Sequence, residues 1–220
     1  MIDQADREFM DNQVVVAGSH PAKHNVFEVA ELAIADGVPG VWVEAGACGG
    51  GQIAVMERAL QKHGESRMIH AFDSWEGIPK ATPEDDEPQK GEYGVRQPGE
   101  PLVSSGKLIC GVENFWGNMR KWGARSENIR THKGWLQDTL KNWTAPIGLL
   151  RIDVDLTDSV RVCAKYLYPY LVKGGYCIFD DWYMSWSPQR QAMIDAVGAD
   201  LPSYVIPVEG NPGTVWWKKR

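Results

Sequence analysis

Short apolar runs that alternate with segments of helical spacing constrain the fold of this chain more than any other feature. The clearest runs are 41–45 (VWVEA), 147–152 (IGLLRI) and 176–179 (YCIF). The spacing predicts helices over 52–62 and 158–172, the second ending before a glycine pair. Strands that alternate with helices indicate βαβ units, so we expect an α/β, doubly wound chain with a mostly parallel sheet covered on both faces.

Weaker patterns supply further elements. They predict strands over 68–72 and 129–132, a helix over 188–197, and a closing pair of strands over 204–207 and 214–217. These elements extend the alternation to the end of the chain. No internal repeat or low-complexity tract interrupts it.

Two segments fall outside the alternation. Residues 1–35 precede the first strand and have helical character, which predicts a helical cap over the sheet edge or over the functional site. Residues 80–106 hold four prolines and an acidic run, which predicts a long loop acting as a lid. The length of 220 residues and an ordinary globular composition predict that all these parts form one domain, 1–220.

The charge balance and the cysteines limit the class of partner and the compartment. The formal net charge is −6, and an acidic protein is a poor general binder of phosphate, so nucleic acid is not expected as a partner. No stretch reaches the roughly 18–20 apolar residues of a membrane span, and the N-terminus has no secretory signal. Four widely spaced cysteines without a CxxC pair predict reduced thiols in a cytoplasmic protein.

A glycine-rich turn follows the first predicted strand. Residues 43–51 read VEAGACGGG and lead directly into a helix. Glycine allows the backbone to approach a ligand closely, and the N-terminus of the helix offers free N–H groups. This is the place where a doubly wound sheet binds nucleotides, although the spacing is not GxGxxG. The alternative is a tight strand-to-helix turn without a ligand.

An acidic residue follows the second predicted strand. Asp73 lies in FDSWEGIP (72–79). A carboxylate in this position accepts hydrogen bonds from both ribose hydroxyls of an adenosine. The combination with the glycine turn predicts a cofactor of the adenosine type. In the alternative interpretation, Asp73 caps the turn that follows it.

Two later strands also end in carboxylates. Asp153 and Asp155 follow one strand in LLRIDVDLTDS, and Asp180 and Asp181 follow the next in GGYCIFDDW. Parallel strands end at the same sheet edge, so Asp153, Asp180 and Asp181 should converge beside the glycine turn. Clustered carboxylates resist ionising together unless a cation lies among them, and oxygen ligands favour Mg²⁺. The alternative is that Asp180 and Asp181 cap a helix or pair with a nearby arginine.

These motifs, in this order, resemble the macrocin O-methyltransferase family of the TylF/MycF type. The resemblance covers roughly residues 40–197 and is carried by VEAGACGGG, FDSWEGIP, GWLQDTL, LLRIDVDLTDS and GGYCIFDDW. The family implies a class I methyltransferase (Rossmann-like) sheet of seven strands. It also implies use of S-adenosylmethionine and Mg²⁺, and methylation of sugar hydroxyls on small-molecule natural products.

The resemblance assigns roles to individual residues. The methionine part of S-adenosylmethionine would be held by Glu44, Gly46, Gly49 and Gly50. The adenosine would meet Asp73 and Ser74, and the Mg²⁺ ligands would be Asp153, Asp180 and Asp181. The chain departs from the family pattern DGDxYxST, which here reads DVDLTDSV: Val154 replaces glycine, Thr157 replaces the aromatic residue and Val160 replaces threonine.

The predicted chemistry is methyl transfer to oxygen. A bound Mg²⁺ would lower the pKa of the acceptor hydroxyl, and Asp153 is the candidate ligand and general base. A catechol or phenol O-methyltransferase is the nearest alternative. A nucleotide-dependent oxidoreductase is disfavoured by the missing GxGxxG, and a relative that binds S-adenosylmethionine without turnover stays open because of the altered DVDLTDSV segment.

Aromatic residues after strand ends are candidates for the walls of the pocket. Trp75 and Trp135 would flank the cofactor, Trp182 and Trp186 would flank the acceptor, and His132 would touch adenine or substrate. Core packing is the alternative for each tryptophan. The expected partner is a small hydroxylated acceptor, and the resemblance suggests a homo-oligomer.

Overall fold

One mixed sheet contains the seven strands of the computed structural model, which describes residues 2–14, 19–182, 187–202 and 205–220. The strands are β1 (Val41–Ala45), β2 (Ile69–Asp73), β3 (Ile129–Lys133), β4 (Ile147–Ile152), β5 (Leu171–Phe179), β6 (Ile206–Val208) and β7 (Asn211–Lys218). Their order across the sheet is β3-β2-β1-β4-β5-β7-β6. The predicted seven-stranded α/β sheet is confirmed.

The direction of the strands decides where a ligand site can form. Strands β3, β2, β1, β4 and β5 are parallel, and β7 is antiparallel to both of its neighbours, β5 and β6. The carboxyl ends of the five parallel strands therefore lie along one edge of the sheet. Chain order reverses beside β1, where β2 lies on one side and β4 on the other, which is the switch point at which α/β sheets form crevices.

Helices cover both faces of the sheet. They are α1 (Gln4–Glu8), α2 (His20–Ala35), α3 (Gly51–Lys62), α4 (Glu87–Tyr93), α5 (Val112–Lys121), α6 (Leu136–Thr139), α7 (Thr157–Tyr166) and α8 (Pro188–Val197). Helices α2, α3 and α5 share one apolar core with alternate residues of the strands, among them Trp42 and Leu149. Helices α7 and α8 share a second core with the intervening residues, among them Val43 and Leu150. The chain is doubly wound, as predicted.

The N-terminal residues form a helical layer on α3. After α1, a π-helical turn (Phe9–Gln13) buries Phe9 in the core on that face of the sheet. The buried Asp6 carboxylate accepts hydrogen bonds from Arg58 Nε at 2.8 Å and Lys62 Nζ at 2.6 Å, both on α3. The helical character predicted for 1–35 is confirmed in its described parts, at 4–13 and 20–35. The layer lies on one face of the sheet, with Phe9 in the core there, and not over the sheet edge or the functional site as predicted.

Residues 80–106 are not the uninterrupted loop that the prolines suggested. They contain α4, and Asp85 ties the segment to the start of α7: its Oδ1 accepts from the Thr157 N–H at 2.8 Å, and its Oδ2 accepts from the Thr82 N–H at 2.7 Å. Arg96 Nη2 lies 3.1 Å from Asp158 Oδ2. Proline suits the first turn of α4, where its missing N–H has no intrahelical partner, so the proline signal conceals a short helix.

Two further observations bear on the class of protein. In the part of the chain that the structure describes, no helix combines the length and the apolar character needed to cross a bilayer. Cys48, Cys110, Cys163 and Cys177 are free thiols, as the spacing predicts.

Candidate active site

A cavity of about 290 Å³ opens at the carboxyl edge of the parallel strands, beside β1. Its walls come from the ends of β1, β2 and β4 and from the segments that follow the five parallel strands. Seven of the predicted site residues line it: Glu44, Gly46, Gly49, Asp73, Ser74, Asp153 and Asp180. The topology thus brings together most of the residues that the motifs singled out.

Gly46 allows the ends of β1 and β4 to approach each other. Its φ is +90°, and a Cβ atom there would lie 1.7 Å from the carbonyl oxygen of Asp153. The Asp153 N–H donates to the Ala45 carbonyl at 3.0 Å, so the two strands stay paired up to this point. No side chain fits between them, and glycine at this position leaves the cavity wall as bare backbone.

The structure places Gly50 away from the cavity wall. Gly50 precedes α3 with a φ of +82°, and a Cβ atom there would lie 2.5 Å from Met119 Cε and 2.7 Å from Phe115 Cε2 of α5. The neighbouring Gly49 carbonyl accepts from Asn118 Nδ2 at 2.9 Å. Close packing of two helices accounts for glycine at position 50, whose contact with the cofactor stays a prediction, while Gly49 lines the cavity.

Asp73 both caps a turn and faces the cavity. Its Oδ2 accepts from the Cys48 N–H at 2.9 Å, and its Oδ1 accepts from the Trp75 N–H at 2.6 Å. Burial raises the pKa of Asp73, and these two N–H groups oppose the rise. Each oxygen keeps a further lone pair, so the capping role leaves acceptors for a ligand. Ser74 Oγ is buried and donates to the Gly77 carbonyl at 2.8 Å.

Arg151 lies at the centre of the carboxylates, although none of the motifs identifies it as a site residue. Its Nη1 donates to Glu44 Oε1 at 2.6 Å and lies 2.9 Å from Asp153 Oδ2, while its Nη2 donates to Asp180 Oδ2 at 2.9 Å. The side chain is 2% exposed. Register explains the contact, because Glu44 of β1 pairs with Arg151 of β4. A charge inside an otherwise apolar strand was the available signal, since buried charges need partners.

One arginine does not balance this many acids. Burial raises the pKa of Glu44 to about 7, against the opposing effect of Arg151. Burial also raises the pKa values of Asp153 and Asp155, and neighbouring carboxylates add to the shift. Burial alone would lower the pKa of Arg151, but Asp153, Asp180 and Glu44 together raise it. Arg151 therefore stays charged, while part of the carboxylate cluster favours the protonated form.

Asp180 and Asp181 have different surroundings. Asp180 lines the cavity, and its Oδ1 accepts from the Thr214 hydroxyl. Asp181 is 3% exposed, and its Oδ2 accepts from the Val154 and Asp155 N–H groups at 3.1 and 2.9 Å. The expected pairing of Asp180 with an arginine is thus present. Among the residues that the structure describes, no three His, Cys, Asp or Glu side chains are arranged around a common metal position.

The aromatic candidates divide into one wall residue and several core residues. Trp135 lines the cavity. Trp75 packs against Phe115 at 5.4 Å, and Trp182 lies 6.4 Å from Trp217, both between ring centroids in the core. Trp186 lies outside the described residues.

His132 belongs to the β2–β3 edge of the sheet and not to the cavity wall. Its ring stacks on Phe72 with centroids 4.1 Å apart, and its Nε2 lies 2.8 Å from Nδ1 of His70. The cavity wall instead includes Ile78 and Pro79, which end the FDSWEGIP motif, and Leu108, which no pattern indicates. They come from the irregular segments between β2 and α5, whose backbone conformation depends on tertiary contacts and not on a periodic apolar pattern.

The chain is similar to known proteins over most of its length. Residues 18–219 match the family model described as Macrocin-O-methyltransferase (TylF). The demethyldecarbamoylnovobiocin O-methyltransferase of Streptomyces niveus is 33% identical over 202 residues, which cover 89% of this chain and 72% of that protein. The 8-demethyl-8-(2,3-dimethoxy-alpha-L-rhamnosyl)-tetracenomycin-C 4'-O-methyltransferase of Streptomyces olivaceus is 31% identical over 199 residues, covering 88% of this chain and 71% of that one.

A solved structure agrees with these matches. The O-methyltransferase NovP has a TM-score of 0.77 to this chain at 27% identity, covering 91% of this chain and 80% of that chain. The family match over residues 18–219 includes every strand that carries the cavity. The resemblance predicted from the five motifs is confirmed.

Proposed function

Because the chain belongs to the macrocin O-methyltransferase family, we propose that it transfers a methyl group from S-adenosylmethionine to a sugar hydroxyl of a small-molecule natural product. The observation that carries the proposal is the composition of the cavity. We call the glycine turn and Asp73, at the ends of β1 and β2, the first wall, and Asp153 and Asp180, after β4 and β5, the second wall. A cofactor held by the first wall would present its methyl group to an acceptor held by the second.

The residues of the first wall fit S-adenosylmethionine. Gly46 leaves backbone open to a ligand, and Asp73 keeps lone pairs for the ribose hydroxyls. Glu44 Oε2 is buried and has no hydrogen-bond partner within the described protein, so it would accept from the methionine ammonium group. Gly49 and Ser74 complete this wall. The negative charge around the cavity also complements a sulfonium cation.

The second wall favours a neutral acceptor. Five carboxylates line the cavity, while Arg151 is the single Lys or Arg in its described lining and is already paired with three of them. A phosphorylated acceptor would meet repulsion there, whereas a sugar hydroxyl would meet hydrogen-bond acceptors. Elsewhere in the cavity lining, Leu108 adds apolar surface suited to a sugar ring and the group attached to it, while Trp135, which follows β3 beside β2, lies on the cofactor side. These features support the hydroxyl of a neutral glycoside as the acceptor.

The donor set of the second wall fits Mg²⁺. Asp153 and Asp180 supply hard oxygen atoms at the cavity, and Asp181 supplies them from beneath the 153–155 turn. Burial and neighbouring carboxylates raise the pKa values of Asp153 and Asp181, and a bound cation would oppose that rise. We propose that these three aspartates hold the ion. When bound, Mg²⁺ lowers the pKa of the acceptor hydroxyl and orients it.

Asp153 is the proposed general base. Its Oδ2 is paired with Arg151, which leaves Oδ1 to accept the proton of the acceptor hydroxyl. The side chain is 33% exposed, which is sufficient for contact with a substrate in the cavity. Arg151 fixes the orientation of the carboxylate.

The test is transfer of a labelled methyl group from S-adenosylmethionine to a neutral glycoside panel, a nucleoside-diphosphate sugar and a catechol. We expect label on glycosides alone, and Asp153→Asn should lower turnover about 100-fold or more. Asp195→Asn, the same change at an exposed site on α8, is the control. Labelling of the catechol alone would favour the phenol-type alternative, and S-adenosylhomocysteine binding without any methyl transfer would favour a relative without turnover.

Removal of divalent ions tests the metal separately. Activity should be lost in EDTA and recover with added Mg²⁺, and full activity in EDTA would contradict a metal at Asp153, Asp180 and Asp181. The homo-oligomer, the cytoplasmic location and the single domain 1–220 stay predictions. Light scattering of the purified protein would measure the first of them.

A further inference from the structure

Two glutamine side chains from distant segments contact the same backbone atom at the cavity. Gln89 Nε2, from α4, donates to the carbonyl oxygen of Asp155 at 3.0 Å, and Gln189 Nε2, from α8, donates to the same oxygen at 2.9 Å. Gln189 is fully buried. A carbonyl oxygen has two lone pairs, so these two hydrogen bonds use the full acceptor capacity of the Asp155 carbonyl.

The backbone that they contact has an unusual conformation. Asp155 has a φ of +60°, in the left-handed region that non-glycine residues rarely adopt. On the N–H side of this turn, the Val154 and Asp155 amides donate to Asp181 Oδ2. The turn joins two cavity-lining carboxylates, Asp153 and Asp155, so its conformation sets where both of them lie.

We propose that Gln89 and Gln189 are positioning residues for the proposed methyl transfer: together they hold the 153–155 turn in its left-handed conformation and so place the Asp153 carboxylate against the acceptor. The inference rests on the proposed function for its chemistry and on the hydrogen bonds for its geometry. Neither glutamine reaches the cavity wall itself.

A purely packing role does not account for this pair. The Oε1 atoms of both glutamines are buried and have no hydrogen-bond partner within the described protein. An apolar side chain of similar volume would avoid that desolvation, so the amide donors are retained for the bond to Asp155. Burial of unpaired polar atoms beside a strained backbone position is typical of functional sites.

The two glutamines also connect the turn to segments at the cavity. Gln89 belongs to the 80–106 segment, which Asp85 and Arg96 attach to the start of α7 immediately after the turn. Gln189 lies in the first turn of α8, the first described helix after β5 and Asp180. A shift of either segment would move the Asp155 carbonyl group and, with it, the carboxylates of Asp153 and Asp155.

The test compares Gln89→Met, Gln189→Met and the double variant, since methionine keeps the approximate volume and removes the donor. Gln97→Met is the matched control, because Gln97 is exposed in the same segment as Gln89. By hydrogen-exchange mass spectrometry, the peptide over 153–157 should exchange about fivefold faster in each single variant, with α3 unchanged. Because both donors share one acceptor, the double variant should differ from the sum of the two.

Kinetics separate positioning from a structural role. With an acceptor found in the screen above, each single variant should lose about tenfold in kcat, because small displacements of a reacting group are costly, while KM for S-adenosylmethionine changes less than about twofold. The proposal would be overturned if both single variants kept the wild-type exchange rate of the 153–157 peptide, or if both kept the wild-type kcat. It would also be overturned if kcat and the affinity for the cofactor fell by equal factors. If the wild-type protein methylates no acceptor, the proposed function fails, while exchange of the 153–157 peptide still decides whether the glutamines hold the turn.

Discussion

Arg151 determines the charge balance of the site at the scale of single residues. It is fully buried and contacts Glu44, Asp153 and Asp180, each on a different strand or strand end. Three buried carboxylates can lie this close together because the planar guanidinium donates hydrogen bonds to several of their oxygen atoms at once. The stability of the carboxyl edge of the sheet therefore depends on the Arg151 side chain.

Replacing that side chain should be costly. Arg151→Met leaves buried carboxylates without a partner, and we expect a loss of about 3–5 kcal/mol in the free energy of unfolding. Urea unfolding measures it. Arg161→Met is the control, because Arg161 is 47% exposed where it pairs with Glu84, and its loss should stay under about 1 kcal/mol. Similar losses in the two variants would show that Arg151 does not carry this charge balance.

A second prediction at this scale concerns the cavity wall. Gly46→Ala puts a Cβ atom on top of the Asp153 carbonyl oxygen and should destabilise the protein by more than about 3 kcal/mol, because backbone on both sides prevents relief. Gly64→Ala is the control: Gly64 has a φ of +66° but no atom within 4 Å of the added Cβ. It should cost only about 1–2 kcal/mol. Thermal unfolding distinguishes the two, and equal costs would mean that the close approach of β1 and β4 is not rigid.

At the scale of elements, the periodicity of the sequence predicted the bounds of those helices and strands that bury a regular apolar pattern. The strand at 147–152 and the helix at 188–197 have the predicted bounds, since both bury regular apolar patterns. The predicted helix over 158–172 ends at Tyr166, and β5 begins at Leu171 and continues through the glycine pair. Gly175 lies there because a Cβ atom would meet Leu171 and the Val172 carbonyl, which is a tertiary requirement.

The candidate site was predictable where it follows from strand ends. Asp73, Asp153 and Asp180 reach the cavity because parallel strands end at one edge. Asp181 does not line it, because the next residue along the backbone points to the other side, under the 153–155 turn. Cavity residues such as Leu108 come from irregular segments, whose positions depend on contacts between elements and not on local spacing.

The contact between β2 and β3 gives a pH-dependent stability. His70 of β2 pairs in register with Arg130 of β3, and its Nδ1 lies 2.8 Å from Nε2 of His132, two residues further along β3. Burial, together with the neighbouring His132 and Arg130, lowers the pKa of His70 to about 4. Between pH of about 6.5 and 4 the unfolded chain binds the extra proton, so stability is complete above this window and falls as pH falls through it.

Substitution of His70 isolates that contribution. His70→Gln should unfold with a shallower loss of stability between pH 6.5 and 4, by about 1–2 kcal/mol after allowance for the half-exposed ring. Urea unfolding at several pH values measures the slope, and a series at pH 8, where the wild-type imidazole is neutral, corrects for lost packing. An unchanged slope would assign the acid sensitivity to other groups.

At the scale of the whole molecule, the fold concentrates charge where the strands end. The formal net charge is −6, and five carboxylates face one cavity that holds a single, paired arginine. The doubly wound arrangement produces this concentration, because helices cover both faces and leave the carboxyl edge as the accessible crevice. A ligand that binds there contacts β1, β2 and β4 together, so binding is linked to the stability of the sheet.

That linkage gives a prediction for the intact protein. S-adenosylhomocysteine at a hundred times its Kd should stabilise the folded chain by about 2.7 kcal/mol, because it binds only the folded state. For 220 residues this corresponds to a rise in Tm of about 5–10 °C, read by differential scanning calorimetry. NAD at the same concentration serves as the comparison ligand and should leave Tm unchanged, since the glycine turn lacks the dinucleotide spacing. A rise with NAD and none with S-adenosylhomocysteine would contradict the cofactor assignment while leaving the fold intact.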